Sequence, residues 1–195
     1  MDKKLIPIAV TAILTLVLFA IVILIKGNYE FLFYLFVVII LMFIIYKSNK
    51  TVKYPMYVLW NLYAWALLHL AGGNLSVAGS RLYDFIIFNI VGEPYNILKY
   101  DQAVHTYGFF VATLAIYYVL KPLLKPKHDH WTALAIVVIM AGLGLGALNE
   151  IIEFMATVIT PSTGVGGYIN NALDLVTDLI GAVIAWIYLK SKENN

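Results

Sequence analysis

Long apolar runs separated by short polar connections repeat along the whole chain. Six of them approach the roughly 20 residues that a helix needs to cross a bilayer, and they cover residues 5–25, 30–46, 54–71, 103–120, 133–158 and 172–190. The pattern predicts an all-α, polytopic membrane protein with about six transmembrane helices. The first run exceeds the roughly 7–15 apolar residues of a secretory signal, and no small-residue cleavage site follows it. We therefore expect it to remain as a membrane anchor.

One connection is longer than the others. Residues 72–102 lie between the third and fourth predicted helices and contain the apolar stretch FIIFNIVG. A segment of this length is uncommon as a plain connection, and irregular backbone at membrane depth must be enclosed by protein. We expect a re-entrant or interfacial segment here, within a single integral membrane domain that spans 1–195. Its first part, 1–53, holds two helices without motifs, and 54–190 forms a motif-bearing helical bundle.

Composition supports this class, and the charge distribution predicts an orientation. Hydrophobic residues make up 62% of the chain and the mean hydropathy is +0.86, which excludes an ordinary soluble domain. The absence of cysteine excludes disulfides and thiolate metal ligands. Membrane proteins retain Lys and Arg in their cytoplasmic connections, and ten of the thirteen here are cytoplasmic if the N-terminus is inside. We expect a multi-pass plasma-membrane protein with both termini in the cytoplasm, a lipid or lipid-linked partner and no nucleic acid.

Ionisable residues gather at one end of the predicted bundle. In the predicted orientation, helices three and five end at the outer side, and helices four and six begin there. These four helices bring seven ionisable side chains to the outer leaflet: His69, Asp101, His105, Glu150, Glu153, Asp174 and Asp178. In helices four, five and six they are paired at spacings of four, three and four residues, so each pair shares one helix face.

Such a cluster needs a counter-charge. A charge at the bilayer centre costs roughly 2.5–3.5 kcal/mol on insertion scales, and intramembrane ionisable residues usually face the bundle interior and serve a function. Neighbouring carboxylates cannot all stay ionised unless protons or metal ions neutralise them. Helical bundles bind divalent metals through inward-facing carboxylates and imidazoles, and this ligand set suits Zn, Mn, Fe or Mg. We predict a divalent-metal site formed by the seven residues, with Glu150 and Glu153 as one wall.

Four ordered motifs carry a resemblance to a known family. The stretches LLHLAGG, YDQAVHTYGFF, NEIIEF and LDLVTDLIGA occur over residues 65–185 or so, and they resemble the YjdF-like inner-membrane proteins of bacteria and archaea and, more distantly, the VanZ-like proteins. VanZ-like chains show Asp-x-x-x-His, acid-x-x-acid-or-Gln and Asp-x-x-x-Asn-x-x-Gly in successive helices. The matching positions here are Asp101 and His105, Glu150 and Glu153, and Asp174, Asp178 and Gly181.

The chain departs from the family pattern at three positions. Gln102 stands where YjdF-like chains commonly have Arg, Asn170 where they often have an acid, and Asp178 where relatives tend to have a neutral residue. We expect these changes to alter the charge of the site. The resemblance implies an inner-membrane protein, and the association of VanZ-like proteins with resistance to the glycopeptide teicoplanin implies a role in the cell envelope.

Three classes of function remain open. The first is a metal-dependent hydrolase or transferase acting on a lipid or lipid-linked envelope substrate, in which the metal activates water and Glu150 or Glu153 is the general base. The second is a proton- or cation-coupled transporter, since intramembrane Asp, Glu and His chains also serve as relays. Against it, no internal repeat of the kind that many transporters show is visible. The third is a structural module whose polar pairs hold helices together.

The sequence GLGLG at 142–146 indicates close packing between helices. It lacks the strand and the spacing of a nucleotide-binding loop. Gly142 and Gly146 form a small-xxx-small pair, which is typical of close contacts between membrane helices. We expect the fifth helix to approach a neighbour at these two positions.

Overall fold

The computed structural model describes residues 3–124, 131–159, 164 and 167–193. Within these residues the chain forms six helices: α1 (Ile6–Lys26), α2 (Tyr29–Val52), α3 (Met56–Asn74), α4 (Tyr100–Leu120), α5 (Trp131–Ile159) and α6 (Tyr168–Glu193). Each span predicted from the sequence coincides with one of these helices. Single 3-10 turns occur at Lys3–Leu5, Leu82–Asp84 and Lys121–Leu123.

Five of these helices are long and apolar enough to cross a membrane. They are α1, α2, α4, α5 and α6, with mean hydropathies between 1.5 and 3.2. The remaining helix, α3, has 19 residues and is about 28 Å long at 1.5 Å per residue. Asn61, His69 and several aromatic residues lower its hydropathy. It packs along α1, α2 and α4, so it belongs to the same bundle.

The central helix of the bundle is α4, and α6 runs beside it in the same direction. Asp101 is grouped with Asp174 near the start of both helices, and Leu114 shares a buried core with Ala185 further along. Later residues of α4 thus meet later residues of α6, which requires a parallel arrangement. A Cβ on Gly181 would strike the α4 backbone. Glycine therefore allows these two helices to touch backbone to backbone.

Helix α5 packs against both α4 and α6 and runs in the opposite direction. Gly142 of α5 faces Thr113 of α4. Glu150, about two turns later in α5, lies near His105, which is about two turns earlier in α4. The three helices that carry most of the predicted site are therefore in mutual contact.

The two small residues of α5 lie at its helix contacts, as predicted. A Cβ at Gly142 would lie 3.0 Å from the Cβ of Ala182, and a Cβ at Gly146 would lie 2.9 Å from the Cβ of Asp178. Both separations are shorter than the roughly 3.5–4.0 Å of ordinary carbon contacts. Gly144, on another face, has no neighbour within 4 Å of its Cβ position. Gly146 therefore provides space for the side chain of Asp178.

Helices α1 and α2 pack against α3, and the turn between them holds the end of α3. Lys26 Nζ donates to the Asn74 carbonyl over 2.5 Å, and Asn28 Nδ2 donates to the Gly73 carbonyl over 3.2 Å. The Phe31 ring occupies the space beside Gly73. At this end of the bundle α1, α3 and α5 finish and α2, α4 and α6 begin, and we call it the polar end. One buried apolar cluster, around Phe31, lies at the polar end, and a second cluster lies at the opposite end.

Two β-hairpins occupy the connection between α3 and α4. Their four short strands pair antiparallel in chain order: β1 (Ser76–Val77) with β2 (Ser80–Arg81), and β3 (Ile86–Val91) with β4 (Ile97–Lys99). Ala78 and Gly79 have φ values of +51° and +85°, as a two-residue hairpin turn requires. The fold is therefore mostly helical rather than all-α, because this connection forms strands. The expectation that the segment is re-entrant or interfacial stays a prediction. The β-branched and aromatic residues of β3 favour a strand, and hairpin pairing satisfies backbone groups that a re-entrant loop would leave open.

Candidate metal centre

His105 lies at the centre of a group of carboxylates at the polar end. Its Nδ1 is 3.0 Å from Asp178 Oδ1 and 3.9 Å from Glu150 Oε1. Its Nε2 is 3.7 Å from Asp101 Oδ1 and 3.9 Å from Glu153 Oε1. One imidazole therefore has carboxylates from α4, α5 and α6 within 4 Å.

The helix arrangement explains why these side chains meet. Asp101 and His105 are four residues apart on α4, and Asp174 and Asp178 are four residues apart on α6. Because α4 and α6 run parallel in backbone contact, the two pairs face each other at the same height. The antiparallel α5 brings Glu150 to this height from the other direction.

Two sets of three side chains are positioned to hold a metal ion. One donor atom from each of Asp101, His105 and Asp174 lies within 4.8 Å of the other two, and the same is true of His105, Glu150 and Asp178. Carboxylate oxygens and imidazole nitrogens are ligands for several divalent cations. The predicted ligands of α4, α5 and α6 are therefore brought together, with Glu153 at the edge of the group.

Several carboxylate oxygens of this centre are buried without a hydrogen-bond partner in the described part of the chain. They are both oxygens of Glu150, Oδ1 of Asp174 and Oδ2 of Asp178. Glu150 is 5% exposed, and the two aspartates are 0% exposed. An ionised carboxylate in this environment costs on the order of several kcal/mol without compensation. These oxygens are open to a cation, to protons or to bound water.

Two asparagines hold other carboxylate oxygens of the centre. Asn149 donates to Glu153 Oε1 over 2.8 Å. Asn170 donates to Asp101 Oδ2 over 3.2 Å and also donates to Asp174. Asn170 stands where YjdF-like chains often have an acid. Here its amide links α4 and α6 without adding a further negative charge.

Gln102, which stands where YjdF-like chains commonly have Arg, orders the start of α4. Its Oε1 accepts from the backbone N–H groups of Leu98 and Lys99 over 2.7 and 3.2 Å. The side chain is 1% exposed. It fixes the backbone that leads from β4 into α4, and thereby the position of Asp101.

His69, the remaining predicted ligand, lies outside both sets of three. Its Nδ1 is 2.6 Å from the Tyr83 hydroxyl, and that hydroxyl is 3.1 Å from the His69 carbonyl oxygen. The imidazole stacks on Trp65 with ring centroids 5.6 Å apart. Burial raises the pKa of Tyr83 well above its usual range, so its hydroxyl keeps a proton to donate. The assignment of His69 as a metal ligand stays a prediction.

A small polar cleft of about 80 Å³ adjoins the centre, and Asp101 and Glu153 belong to its walls. Glu30 and Tyr34, from the start of α2, line it as well. Neither residue belongs to the site predicted from the sequence, although the sequence contains a signal for them. Glu30 and Tyr34 are four residues apart, at the end of the helix that the predicted topology places beside the acidic residues.

A family model described as "Predicted membrane protein (DUF2238)" matches residues 6–195. The chain belongs to this family. Neither a curated protein nor a solved structure matches it. Membership in DUF2238 confirms that the chain is a membrane protein, and it is compatible with the YjdF-like resemblance. The resemblance to VanZ-like proteins, and the role in the cell envelope drawn from it, stay predictions.

Proposed function

We propose that this DUF2238 protein is a metal-dependent membrane enzyme, a hydrolase or a transferase that acts on a lipid or lipid-linked envelope substrate. The observation that carries the proposal is the group of buried carboxylate oxygens without donors around His105. A divalent cation supplies the positive charge that these oxygens lack. Bound there, it would polarise the scissile group of a substrate and activate water.

The carboxylates divide into ligands and a general base. Asp174 and Asp178 are fully buried and face His105 from α6, so they serve as ligands together with Asp101. Glu153 lines the polar cleft as well as the centre, so it is the better placed general base for a substrate in that cleft. Glu150, with both oxygens buried inside the group, acts as a ligand in this scheme.

The proposed topology has six membrane crossings, with α3 among them, and both termini in the cytoplasm of a plasma-membrane protein. The bias of ten in thirteen Lys and Arg residues supports this orientation. The polar end then lies in the outer leaflet.

All six side chains of β3 are exposed, including Phe88 at 71% and Ile90 at 63%. A strand with apolar side chains on both faces suits the lipid interface, so we place the β3–β4 hairpin there.

Elemental analysis of the protein purified in detergent tests the metal centre. We expect roughly one divalent ion per chain, and Glu150→Gln should lower both metal content and thermal stability because it removes a ligand charge. A cation present at about 100 times its dissociation constant stabilises a fold by about 2.7 kcal/mol, which a melting curve detects. Glu93→Gln, in the turn between β3 and β4, is the matched control and should change neither quantity. Absence of metal, with melting unchanged by chelator, would instead favour protons at the centre and a transport function.

A second comparison separates an enzyme from a structural module. Glu153→Gln keeps the volume and the hydrogen-bonding capacity of the side chain but removes a base. If the carboxylate is catalytic, this variant folds normally yet fails to complement a deletion strain under envelope stress. Glu153→Leu should impair folding in either case, because it leaves Asn149 without its acceptor. Full complementation by Glu153→Gln would favour the structural module.

A further inference from the structure

Tyr34 of α2 places a hydroxyl group in the polar cleft. The residue is 6% exposed, and its hydroxyl oxygen is buried without a hydrogen-bond partner in the described part of the chain. Its ring is held by edge contacts with Phe31 and His69, at centroid distances of 5.3 and 5.7 Å. A buried tyrosine hydroxyl usually has a partner. This one is therefore positioned to donate to a ligand in the cleft.

Two basic side chains line the same cleft. Among the described residues, Lys99 has no carboxylate within 4.0 Å of its ammonium group. Arg81 is fixed by its neighbours: its Nε is 3.0 Å from Asp84 Oδ2, and its Nη2 donates to the Gly164 carbonyl over 2.9 Å. Among the described residues, the cleft thus contains three donor groups. They are the Lys99 ammonium, which has no ion pair, the Arg81 guanidinium, which Asp84 and the Gly164 carbonyl hold in place, and the Tyr34 hydroxyl.

The starts of two helices add to this positive character. Asp101 is the second residue of α4 and Asn170 is the third residue of α6, and both line the cleft. The N-terminus of a helix carries a partial positive charge and attracts anions. Two further carboxylates line the cleft: Asp84 pairs with Arg81, and Glu30 accepts from the Gly164 N–H. Once a cation offsets the charges of Asp101 and Glu153, the groups left to attract an anion are Lys99, the Tyr34 hydroxyl and the two helix starts.

We propose that the cleft binds a phosphate monoester or diester, with Lys99, Tyr34 and Arg81 donating hydrogen bonds to its oxygens. This proposal rests on the proposed function, because Asp101 and Glu153 would repel a phosphate in the absence of a bound cation. Donors on one side and a cation on the other require a ligand that offers several acceptor oxygens in different directions. A tetrahedral phosphate does so, and charge-assisted bonds from Lys and Arg are the usual means of holding it.

The adjoining hairpin indicates where this phosphate comes from. Lys99 is the last residue of β4, and β4 pairs with the exposed apolar strand β3. A hairpin that carries apolar side chains into the lipid interface brings the lysine at its base to the level of lipid headgroups. The ligand is therefore expected to be the headgroup of a phospholipid.

The test uses the full chain in detergent, with metal content measured on every preparation. Three probes are titrated while the melting temperature is followed: inorganic phosphate, dihexanoyl phosphatidic acid and the uncharged dihexanoylglycerol. Lys99→Met and Tyr34→Phe each remove one donor at nearly constant volume. Lys50→Met, at the opposite end of the bundle, is the matched control. We expect each cleft variant to bind the phosphatidic acid about tenfold more weakly, with unchanged metal content, and the control to bind it like the native chain.

The outcomes distinguish a lipid from a free source of the phosphate. They also distinguish failure of the phosphate site from failure of the proposed function. Binding of the phosphatidic acid without binding of inorganic phosphate assigns the site to a lipid, and equal binding of both supports phosphate recognition from a free source. The phosphate site is overturned if metal-loaded protein binds neither inorganic phosphate nor the phosphatidic acid. It is also overturned if the cleft variants bind the phosphatidic acid as tightly as the native chain does. In both cases the metal centre still stands. Protein without metal overturns the proposed function and the phosphate site with it.

Discussion

Gly146→Ala should weaken metal binding, although residue 146 is not a ligand. A Cβ at this position lies 2.9 Å from both Cβ and Cγ of Asp178. Ordinary carbon contacts need about 3.5–4.0 Å, so Asp178 or α5 must move by roughly 1 Å. Asp178 Oδ1 is 3.0 Å from His105 Nδ1, and a movement of this size would break that contact.

The expected magnitude follows from two unfavourable effects and one favourable effect. Displacing Asp178, itself a proposed ligand, should lower metal affinity at least as much as losing a partner that orients a ligand, which costs about 10- to 100-fold, or about 1.4–2.7 kcal/mol. Overpacking at the helix contact costs a further 1–3 kcal/mol or so in folding. Replacing glycine by alanine within a helix returns only about 0.5–1 kcal/mol. The net result should be weaker metal binding and a lower free energy of unfolding.

Gly144→Ala is the matched control for this prediction. It makes the same chemical change two residues earlier in α5, at a position with nothing within 4 Å of the added atom. Metal affinity is measured by competition with a coloured chelator, and stability by thermal melting in detergent with and without metal. The control should keep native affinity and gain slightly in stability. If Gly146→Ala also keeps native affinity and melting temperature, Asp178 is not part of the metal centre in the way described.

Three further predictions concern topology, the hairpin and helix packing. Since the chain has no cysteine, a single introduced cysteine can be labelled specifically. Ser48→Cys should not react with an impermeant reagent in intact cells. Reaction there would show that the orientation is the opposite of the proposed one. A spin label on Phe88→Cys should be more accessible to oxygen than to a polar nickel chelate, whereas a label on Glu93→Cys should be accessible to the chelate. Equal accessibility of both labels to the nickel chelate would place β3 in water. Gly181→Ala should lower stability by about 1–3 kcal/mol, because the added Cβ meets the α4 backbone; an unchanged melting temperature would contradict the backbone contact.

The grouping of His105 with carboxylates of α4, α5 and α6 could be predicted from the sequence, because it follows from local spacings. Spacings of three and four residues place the side chains of one helix on one face, and alternating helix directions bring those faces to one end. The order of the helices along the chain then decides which pairs meet. The facing of Asp101 with Asp174 needs the parallel packing of α4 and α6, which Gly181 permits.

Other features depend on contacts that no local pattern contains. Tyr34 becomes part of the cleft only because α2 begins at the polar end beside α3. The sequence does not predict the β3 strand, because its apolar residues do not alternate with polar ones. Periodicity therefore could not distinguish a strand from a membrane-embedded segment. The contact between His69 and Tyr83 joins α3 to the connection whose hairpins the sequence does not predict.

The residues of the centre are divided among α4, α5 and α6, and this division affects how the bundle assembles in the membrane. Asp174 and Asp178 arrive with α6, after α4 and α5 in chain order, and an unpaired carboxylate inside a membrane costs up to about 2.5–3.5 kcal/mol. Stable insertion of α6 is therefore coupled to the earlier arrival of His105 on α4. A chain truncated before α6 would leave Glu150 and its neighbours without the opposite wall. The carboxylates of these helices therefore favour assembly of α4, α5 and α6 with one another over separate helices in the lipid.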